Sequence, residues 1–593
     1  MVSQSLPRYL AALALAAPLI GCGGGGGGND DASATAVDTD GSGATEGTAG
    51  TAGTAPTEGG GSDTSDDPTE GPAPVSCDDG PQPGPMPRLV RLTHEQYDLT
   101  VADLLKKNFD PRPSAEFLAD PAVAGFNNNA AQMVVKDRLG RDYRRAAERL
   151  AGEAVAPDVL AGLLPCQPEG DGSQCAGQFV TEFGRRAFRR PLTAAEQTTY
   201  SGLFTQGQGL YPEGTPFEQG IRFIIEAMLQ SGHFLYRVEL SDGPGGDQVI
   251  PLGGYELASR LSYLLWGSMP DDSLLAAAEA GELDTPAGLE AQARRLLDSP
   301  KAEAPVADFH RQWLELDKVD NLQKNTDLYP EFNGALADAM REETQQFVRH
   351  VVFELEGDYA ALLTAPVTFV NAELAALYGV QGQFGAEFTE AALDPQQRAG
   401  LLTQPSFLAT HAYQSSSSPI FRGAFVQKQI LCTPPPPPPG GIDPNLPPPG
   451  DDIVTTRDQV EAHTELDPYC AGCHKSIINP PGFAFEHYDA LGKWRDLDNG
   501  APVDASGEVV SGAWAFSFTD AVDMVGQIAE STNGTRCYLT NWFRYGYGRD
   551  VAPIDRCTID ALDAELAASG YNIKELLVSL TLTRTFRFRA VEE

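Results

Sequence analysis

The sequence predicts a mainly α-helical fold: a multi-domain helical body, preceded by a disordered N-terminal tether and completed by a C-terminal helical domain that carries a Cys-x-x-Cys-His motif. Three observations predict this class. Apolar residues recur at three- and four-residue spacing behind helix caps, whereas the alternation typical of strands is scarce. The 593 residues exceed what one ordinary hydrophobic core contains. The first part of the chain is rich in glycine, serine, threonine and aspartate and poor in apolar residues.

Residues 1–22 have the pattern of a lipoprotein signal peptide. Arg8 precedes an uncharged apolar run, 9–20, which is too short to span a bilayer and has the length of a signal core. The run ends in Leu-Ile-Gly-Cys, which resembles the lipobox of bacterial lipoproteins. We therefore expect lipidation at Cys22 and a protein that meets the membrane only through this anchor.

Residues 23–87 are predicted to be a disordered linker, because a six-glycine run and polar low-complexity sequence cannot bury enough apolar area to offset the entropy of ordering. The body would stand away from a lipid anchor in the cell envelope. Gly23 lacks the aspartate that retains many lipoproteins at the inner membrane, which favours the outer membrane. The net charge of −40 argues against nucleic acid as a partner.

Helix signals divide the remaining chain into five predicted helical domains. In the first, 88–160, Thr93 and Gln96 form a capping box, and in the second, 175–240, Thr193 and Glu196 form another. The third domain, the fourth and the fifth span 250–380, 396–500 and 513–593.

The third and fifth domains have clear helix boundaries. Leucines 257, 261, 264 and 265 share one helical face that ends at Gly267, and Thr285-Pro286 begins the next helix. Asn572 with Glu575 caps a last helix. Within the fourth domain, six consecutive prolines, 434–439, predict a stiff polyproline II spacer between a large N-terminal body and a C-terminal portion.

The nine cysteines fall into three groups: Cys22 for lipid, the pair Cys470 and Cys473 in the motif, and six others. An even remainder in an exported chain predicts disulfides, although free buried thiols are the alternative. Closing the shortest loops predicts the pairs Cys166–Cys175 and Cys537–Cys557, which leaves Cys77–Cys432.

Cys470-Ala471-Gly472-Cys473-His474 has the pattern of a covalent haem c attachment site. The two thiols would form thioethers with the haem, and His474 would be the proximal iron ligand. Two other interpretations stay open: a disulfide between the thiols, or a zinc site completed by His463 or His487.

Electron-carrying haems usually take a second axial ligand. Met524 lies about fifty residues downstream, as the distal methionine does in many small cytochromes c, and His463 lies just before the motif. These two residues are the leading distal candidates, and the sequence also offers His487 and, more distantly, His411.

The sequence around the motif carries a family resemblance. The runs NPPGFAFE (479–486) and YDALGKWR (488–495) resemble those of planctomycete- and myxobacterial-type exported cytochrome-c-like proteins, which are built from five consecutive domains of unknown function. Other matching runs are RLTHEQY (91–97), AFRRPLT (187–193), LASRLSYLLW (257–266) with MPD (269–271), SPIFRG (418–423), YGYGR (545–549) and TFRFR (585–589).

The resemblance implies the domain order more than an activity. The family usually has aspartate where this chain has Asn479, and the separate N-terminal cytochrome domain of many members is absent. We expect an envelope electron-transfer protein, or the haem part of an envelope oxidoreductase with an unidentified redox partner. The alternative is a non-enzymatic cell-surface binding protein in which Cys470 and Cys473 form a structural disulfide.

Overall fold

The computed structural model describes residues 77, 80–242, 249–437, 446–450, 452–511 and 514–590. The predicted signal segment, Cys22 and most of the predicted linker lie outside these residues. The fold is mainly helical with a few short strands, as predicted.

Seven helices form the N-terminal third of the described chain: α1 His94–Leu105, α2 Asp137–Ala154, α3 Pro157–Leu163, α4 Ser173–Phe188, α5 Ala194–Gly207, α6 Pro216–Leu229 and α7 Gly232–Leu235. Nine follow: α8 Gly254–Leu265, α9 Asp272–Glu279, α10 Pro286–Leu297, α11 Glu303–Trp313, α12 Gly334–Arg349, α13 Tyr359–Thr364, α14 Ala372–Tyr378, α15 Pro405–Thr410 and α16 Pro419–Phe425. The last eight are α17 Thr456–Thr464, α18 Pro468–Cys473, α19 Asn479–Phe483, α20 Ala521–Ala529, α21 Thr532–Tyr547, α22 Arg556–Ala568, α23 Ile573–Leu582 and α24 Arg584–Arg587.

Three helices continue into a π-helical turn: α12 into His350–Glu354, α16 into Val426–Ile430 and α18 into His474–Ile478. The strands are β1 Leu89–Arg91, β2 Tyr236–Val238, β3 Val249–Pro251, β4 Val367–Val370, β5 Thr389–Ala392, β6 Leu497–Asp498, β7 Ala501–Pro502, β8 Gly507–Ser511, β9 Trp514–Phe518 and β10 Phe588–Ala590. They form five antiparallel pairs: β1 with β2, β3 with β10, β4 with β5, β6 with β7, and β8 with β9.

The predicted helix boundaries are confirmed where the caps were strongest. Thr93 and Thr193 each form the reciprocal capping box with the residue three positions on. Thr285 caps α10. Just after α8, Gly267 adopts a φ of +63°, which disfavours a side chain.

The hydrophobic core joins segments that the sequence assigned to separate domains. One cluster, built mainly from α1, α2, α4 and α6, fills the N-terminal third. A larger cluster extends from Met86 to Phe586 and includes residues on both sides of the proline run. Phe309 of α11, for example, stacks on Trp542 of α21 with ring centroids 3.8 Å apart. The predicted separation into two bodies by the prolines is therefore wrong, because the described residues on both sides of the run belong to one compact unit.

The start of the described chain is packed on its end. Met86 is buried in the larger cluster, and Pro85 bridges to Ala590. The predicted linker boundary at residue 87 is therefore too late, because Pro85 and Met86 already pack in the folded body.

Two of the three predicted disulfides are wrong. Cys166–Cys175 is present, but Cys77 bonds to Cys557, and Cys432 bonds to Cys537. The prediction closed the shortest loops along the chain. The fold instead brings the π-helical turn after α16 against α21 and Cys77 against α22, so spatial proximity decides the pairing.

Candidate haem-attachment site

The Cys-x-x-Cys-His motif lies on a short exposed helix and the turn that follows it. Asp467 caps α18 by accepting the backbone N–H of Tyr469 at 2.8 Å. Cys470 and Cys473 lie one helical turn apart, and both are unbonded, partly exposed thiols. His474 begins the π-helical turn. The structural disulfide that the alternative interpretation requires is not formed here.

Two glycines let the motif segment approach α16 very closely. A Cβ at Gly423 would lie 1.8 Å from the carbonyl oxygen of Ile478, and a Cβ at Gly482 would lie 1.9 Å from that of Pro419. The Gln427 side chain also donates a 2.9 Å hydrogen bond to the carbonyl of Ile477. The backbone that follows His474 therefore packs tightly against α16 and the turn after it, whereas the two thiols are partly exposed.

The side chain of Asn479 makes a hydrogen bond with the His474 ring. Its side chain is completely buried, and its amide nitrogen donates to Thr464 Oγ1 at 2.9 Å and to Glu465 Oε1 at 3.0 Å. The Thr464 hydroxyl gives its own proton to the Val460 carbonyl, so its oxygen can accept from Asn479. These partners fix the amide orientation and leave Asn479 Oδ1 facing His474 Nδ1 at 3.1 Å.

This arrangement selects one form of the His474 imidazole. Because Asn479 Oδ1 can only accept, the proton lies on His474 Nδ1 and the lone pair lies on Nε2. A histidine that ligates a metal commonly donates its other ring N–H to such a partner, which orients the ring. Sequence reasoning recorded Asn479 only as a departure from aspartate and did not predict this role.

Apolar side chains lie exposed beside the thiols. Leu466 is 80% exposed and Tyr469 is 74% exposed, and they precede Cys473 by seven and four residues. Space around Gly472 is open as well, since an added Cβ there would have no neighbour within 4 Å. Exposed apolar side chains therefore lie within one or two helical turns of the thiols along the sequence.

The structure separates the two distal candidates. His463 lies on α17, which packs against the π-helical turn that contains His474. Met524 is completely buried on α20, which packs against α13, α21 and β9. His463 therefore lies on a helix that contacts the turn containing His474.

The remaining histidines are engaged elsewhere. His487 directs Nδ1 to the Arg495 carbonyl at 2.9 Å and stacks on Trp494 at 4.4 Å. Buried His411 lies 3.5 Å from Glu315. Within the described part of the chain, no group of three or more His, Cys, Asp or Glu side chains is arranged to hold a metal ion, so the zinc interpretation has no support there.

Comparison with protein families accounts for most of the described chain. Five models match in consecutive order, each described as a protein of unknown function: DUF1587 at 91–156, DUF1595 at 175–239, DUF1592 at 252–380, DUF1588 at 398–498 and DUF1585 at 516–586. The chain belongs to this five-domain family. Neither a curated protein nor a solved structure matches it. No helix within the described residues is long and apolar enough to cross a membrane.

The motif lies in the DUF1588 segment of this five-domain protein, and a buried arginine organises that segment. The Arg422 side chain is inaccessible to solvent and donates to the carbonyls of Leu408, Phe485, Tyr488 and Asp489 at 2.8–3.0 Å. Burial lowers the pKa of Arg422 to about 10, so it stays charged at neutral pH. Through these hydrogen bonds Arg422 connects α15 and α16 to the segment that follows α19. This segment follows the motif in the chain.

Proposed function

We propose that this five-domain protein is an exported, lipid-anchored cytochrome-c-like protein that transfers electrons in the cell envelope, alone or as the haem-bearing part of an oxidoreductase. The observation that carries the proposal is the pair of free thiols one helical turn apart, next to an imidazole whose Nδ1 is held by buried Asn479. Exposed apolar surface at Leu466 and Tyr469 adds support.

Each residue has a defined part in this proposal. Cys470 and Cys473 would hold the haem by thioethers, and His474 would offer Nε2 to the iron because its Nδ1 proton is donated to Asn479. Haem, when bound, supplies a one-electron Fe(III)/Fe(II) couple. Asn479, a neutral acceptor, orients the ring without adding a negative charge. His463 would be the candidate for a second ligand, because α17 contacts the turn that contains His474.

The anchor completes the proposal. Lipid on Cys22 would hold the protein at the outer membrane, and the acidic surface of a chain with a net charge of −40 would favour a redox partner with a basic docking face.

The first experiment asks whether haem is attached. The full chain is matured in the envelope of a host that assembles c-type cytochromes and is analysed by haem-stained denaturing gel and pyridine haemochrome spectrum. We expect a stained band that disappears in the Cys470→Ser/Cys473→Ser variant. As a control, Cys166→Ser/Cys175→Ser also removes two cysteines but should keep the stain. Soluble, folded wild-type protein with no haem absorption would refute the proposal.

The second experiment tests the anchor. Wild-type protein should take up labelled fatty acid and sediment with outer membranes on a density gradient, whereas Cys22→Ser should do neither. Equal membrane association of the two proteins would contradict the proposed anchor.

A further inference from the structure

Helix α21 presents three oxidisable rings on one face. Tyr538, Trp542 and Tyr545 are spaced by four and three residues, so they share one side of the helix. The ring centroids of Tyr538 and Trp542 are 6.4 Å apart, and those of Trp542 and Tyr545 are 5.7 Å apart. This face packs against α11, where Phe309 stacks on Trp542.

Both tyrosine hydroxyls on this face point at a proton acceptor on α11. His310 Nδ1 lies 2.8 Å from the Val306 carbonyl, which can only accept, so Nδ1 carries the proton. His310 Nε2 therefore accepts from the Tyr538 hydroxyl at 3.0 Å. The Tyr545 hydroxyl donates to Asp308 Oδ2 at 2.8 Å.

The rings differ in their exposure to solvent along α21. Tyr538, His310 and Trp542 are almost completely buried, whereas Tyr545 is partly exposed. Burial raises the pKa of Tyr538 and lowers the pKa of His310 to about 4, so a neutral phenol faces a neutral imidazole at neutral pH. Neither group carries a charge that the core would have to accommodate.

Nearby Tyr359 provides an internal comparison. Its ring centroid is 5.0 Å from that of Tyr538, and it is equally buried. Its hydroxyl, however, has no hydrogen-bond partner among the described residues. Burial of an aromatic ring in this core therefore does not require a proton acceptor, so the two acceptors on α11 are a distinct feature of Tyr538 and Tyr545.

We propose that Tyr545, Trp542 and Tyr538 form a one-electron relay that conducts oxidising equivalents from an oxidised metal complex at the protein surface to the buried Tyr538–His310 pair. In the first step, Tyr545 gives an electron to the oxidant and its hydroxyl proton to Asp308, and the oxidant is reduced by one electron. In the second, an electron passes from Tyr538 through Trp542 to the Tyr545 phenoxyl, which recovers its proton from Asp308. Tyr538 gives its own proton to His310 Nε2. The residues lie outside the Cys-x-x-Cys-His motif, so the relay does not depend on attached haem.

The test places a ring-fluorinated tyrosine at position 538 in the full chain. Photogenerated tris(bipyridine)ruthenium(III) serves as the surface oxidant, and the sample is frozen for electron paramagnetic resonance. A radical at Tyr538 then shows fluorine hyperfine splitting, which separates it from radicals on every other tyrosine.

We expect the fluorine-split signal in the labelled protein and its loss on adding Tyr545→Phe or Trp542→Phe. Tyr359→Phe is the matched control and should leave the signal unchanged. His310→Gln, which keeps a polar side chain but removes the base, should lower the yield of the signal. Thermal unfolding followed by circular dichroism verifies that each variant is folded.

Two results would overturn the relay. One is a folded, labelled protein that gives no fluorine-split signal. The other is a signal that persists at full strength in both Tyr545→Phe and Trp542→Phe, since Tyr538 would then be oxidised without the other two rings. Both outcomes are independent of whether the preparation contains haem.

Discussion

Glu343 on α12 is a buried carboxyl group that should make the stability of the protein depend on pH. Its side chain is inaccessible to solvent, and Thr368 and Tyr378 both donate to its Oε1. Its Oε2 is buried without a hydrogen-bond partner among the described residues. Burial raises the pKa of Glu343 from 4.5 to about 7 in the folded protein, and the two hydrogen bonds and Arg398 offset this only in part.

The sign of the effect follows from proton binding. Between pH 4.5 and pH 7 the folded protein holds a proton on Glu343 that the unfolded chain releases. This contribution to stability is therefore complete below pH 4.5, is lost as the pH rises to 7, and stays absent above it. A difference of 2.5 pKa units corresponds to about 3 kcal/mol of unfolding free energy.

Glu343→Gln should remove this dependence, because the amide is neutral at every pH and has nearly the same shape. The assay is denaturant unfolding of wild type and variant at pH 5 and pH 8. We expect the variant to gain stability relative to wild type on going from pH 5 to pH 8, by up to about 3 kcal/mol. Glu342→Gln, the adjacent and partly exposed position, is the control and should change little. A wild-type pH dependence that Glu343→Gln leaves intact would refute the reasoning.

Three further predictions concern the packing around the motif and the closure of the chain. Gly423→Ala should destabilise the protein by about 3 kcal/mol in denaturant unfolding, because its Cβ would overlap a backbone carbonyl, whereas Gly526→Ala, at an open helical site, should not. Asn479→Leu should remove the preference of His474 for a proton on Nδ1, measured by ¹⁵N NMR of haem-free protein, and an unchanged ring spectrum would contradict the assigned tautomer. Cys557→Ser opens a disulfide that spans 480 residues and should cost about 3–5 kcal/mol, while an unchanged non-reducing peptide map would show that this bond does not form.

Local signals in the sequence were sufficient for most helix boundaries. The capping boxes at Thr93 and Thr193 act through hydrogen bonds within four residues, so the sequence contains all of their partners. The same holds for the cap at Asn572, whose side chain accepts from the backbone of Glu575. The mainly helical fold class could be predicted because many such local helix signals agree along the sequence.

Features that depend on distant segments could not be read in this way. The pairing of Cys432 with Cys537 requires the π-helical turn after α16 to lie against α21, which no local pattern specifies. For the same reason the proline run suggested a spacer, although the segments it joins share a core.

The candidate site contains features that local sequence predicts and features that depend on tertiary packing. Cys470, Cys473 and His474 follow from their spacing alone, whereas the contact of Asn479 with Thr464 depends on how α17 and α19 meet. The contact of α17, which carries His463, with the turn containing His474, and the packing of α20, which carries Met524, against α13, α21 and β9 likewise depend on the tertiary fold.

The pairing of β3 with β10 has a consequence for how the protein is made. Synthesis proceeds from the amino terminus, so β3 has an open edge until β10 has been made, and Cys77 has no disulfide partner until Cys557 has been made. Products that end before β10 therefore lack the partner of β3, and products that end before Cys557 also leave Cys77 without its disulfide partner. The Cys77–Cys557 bond thus distinguishes a molecule in which α22 has been made and docked from any product that ends before α22.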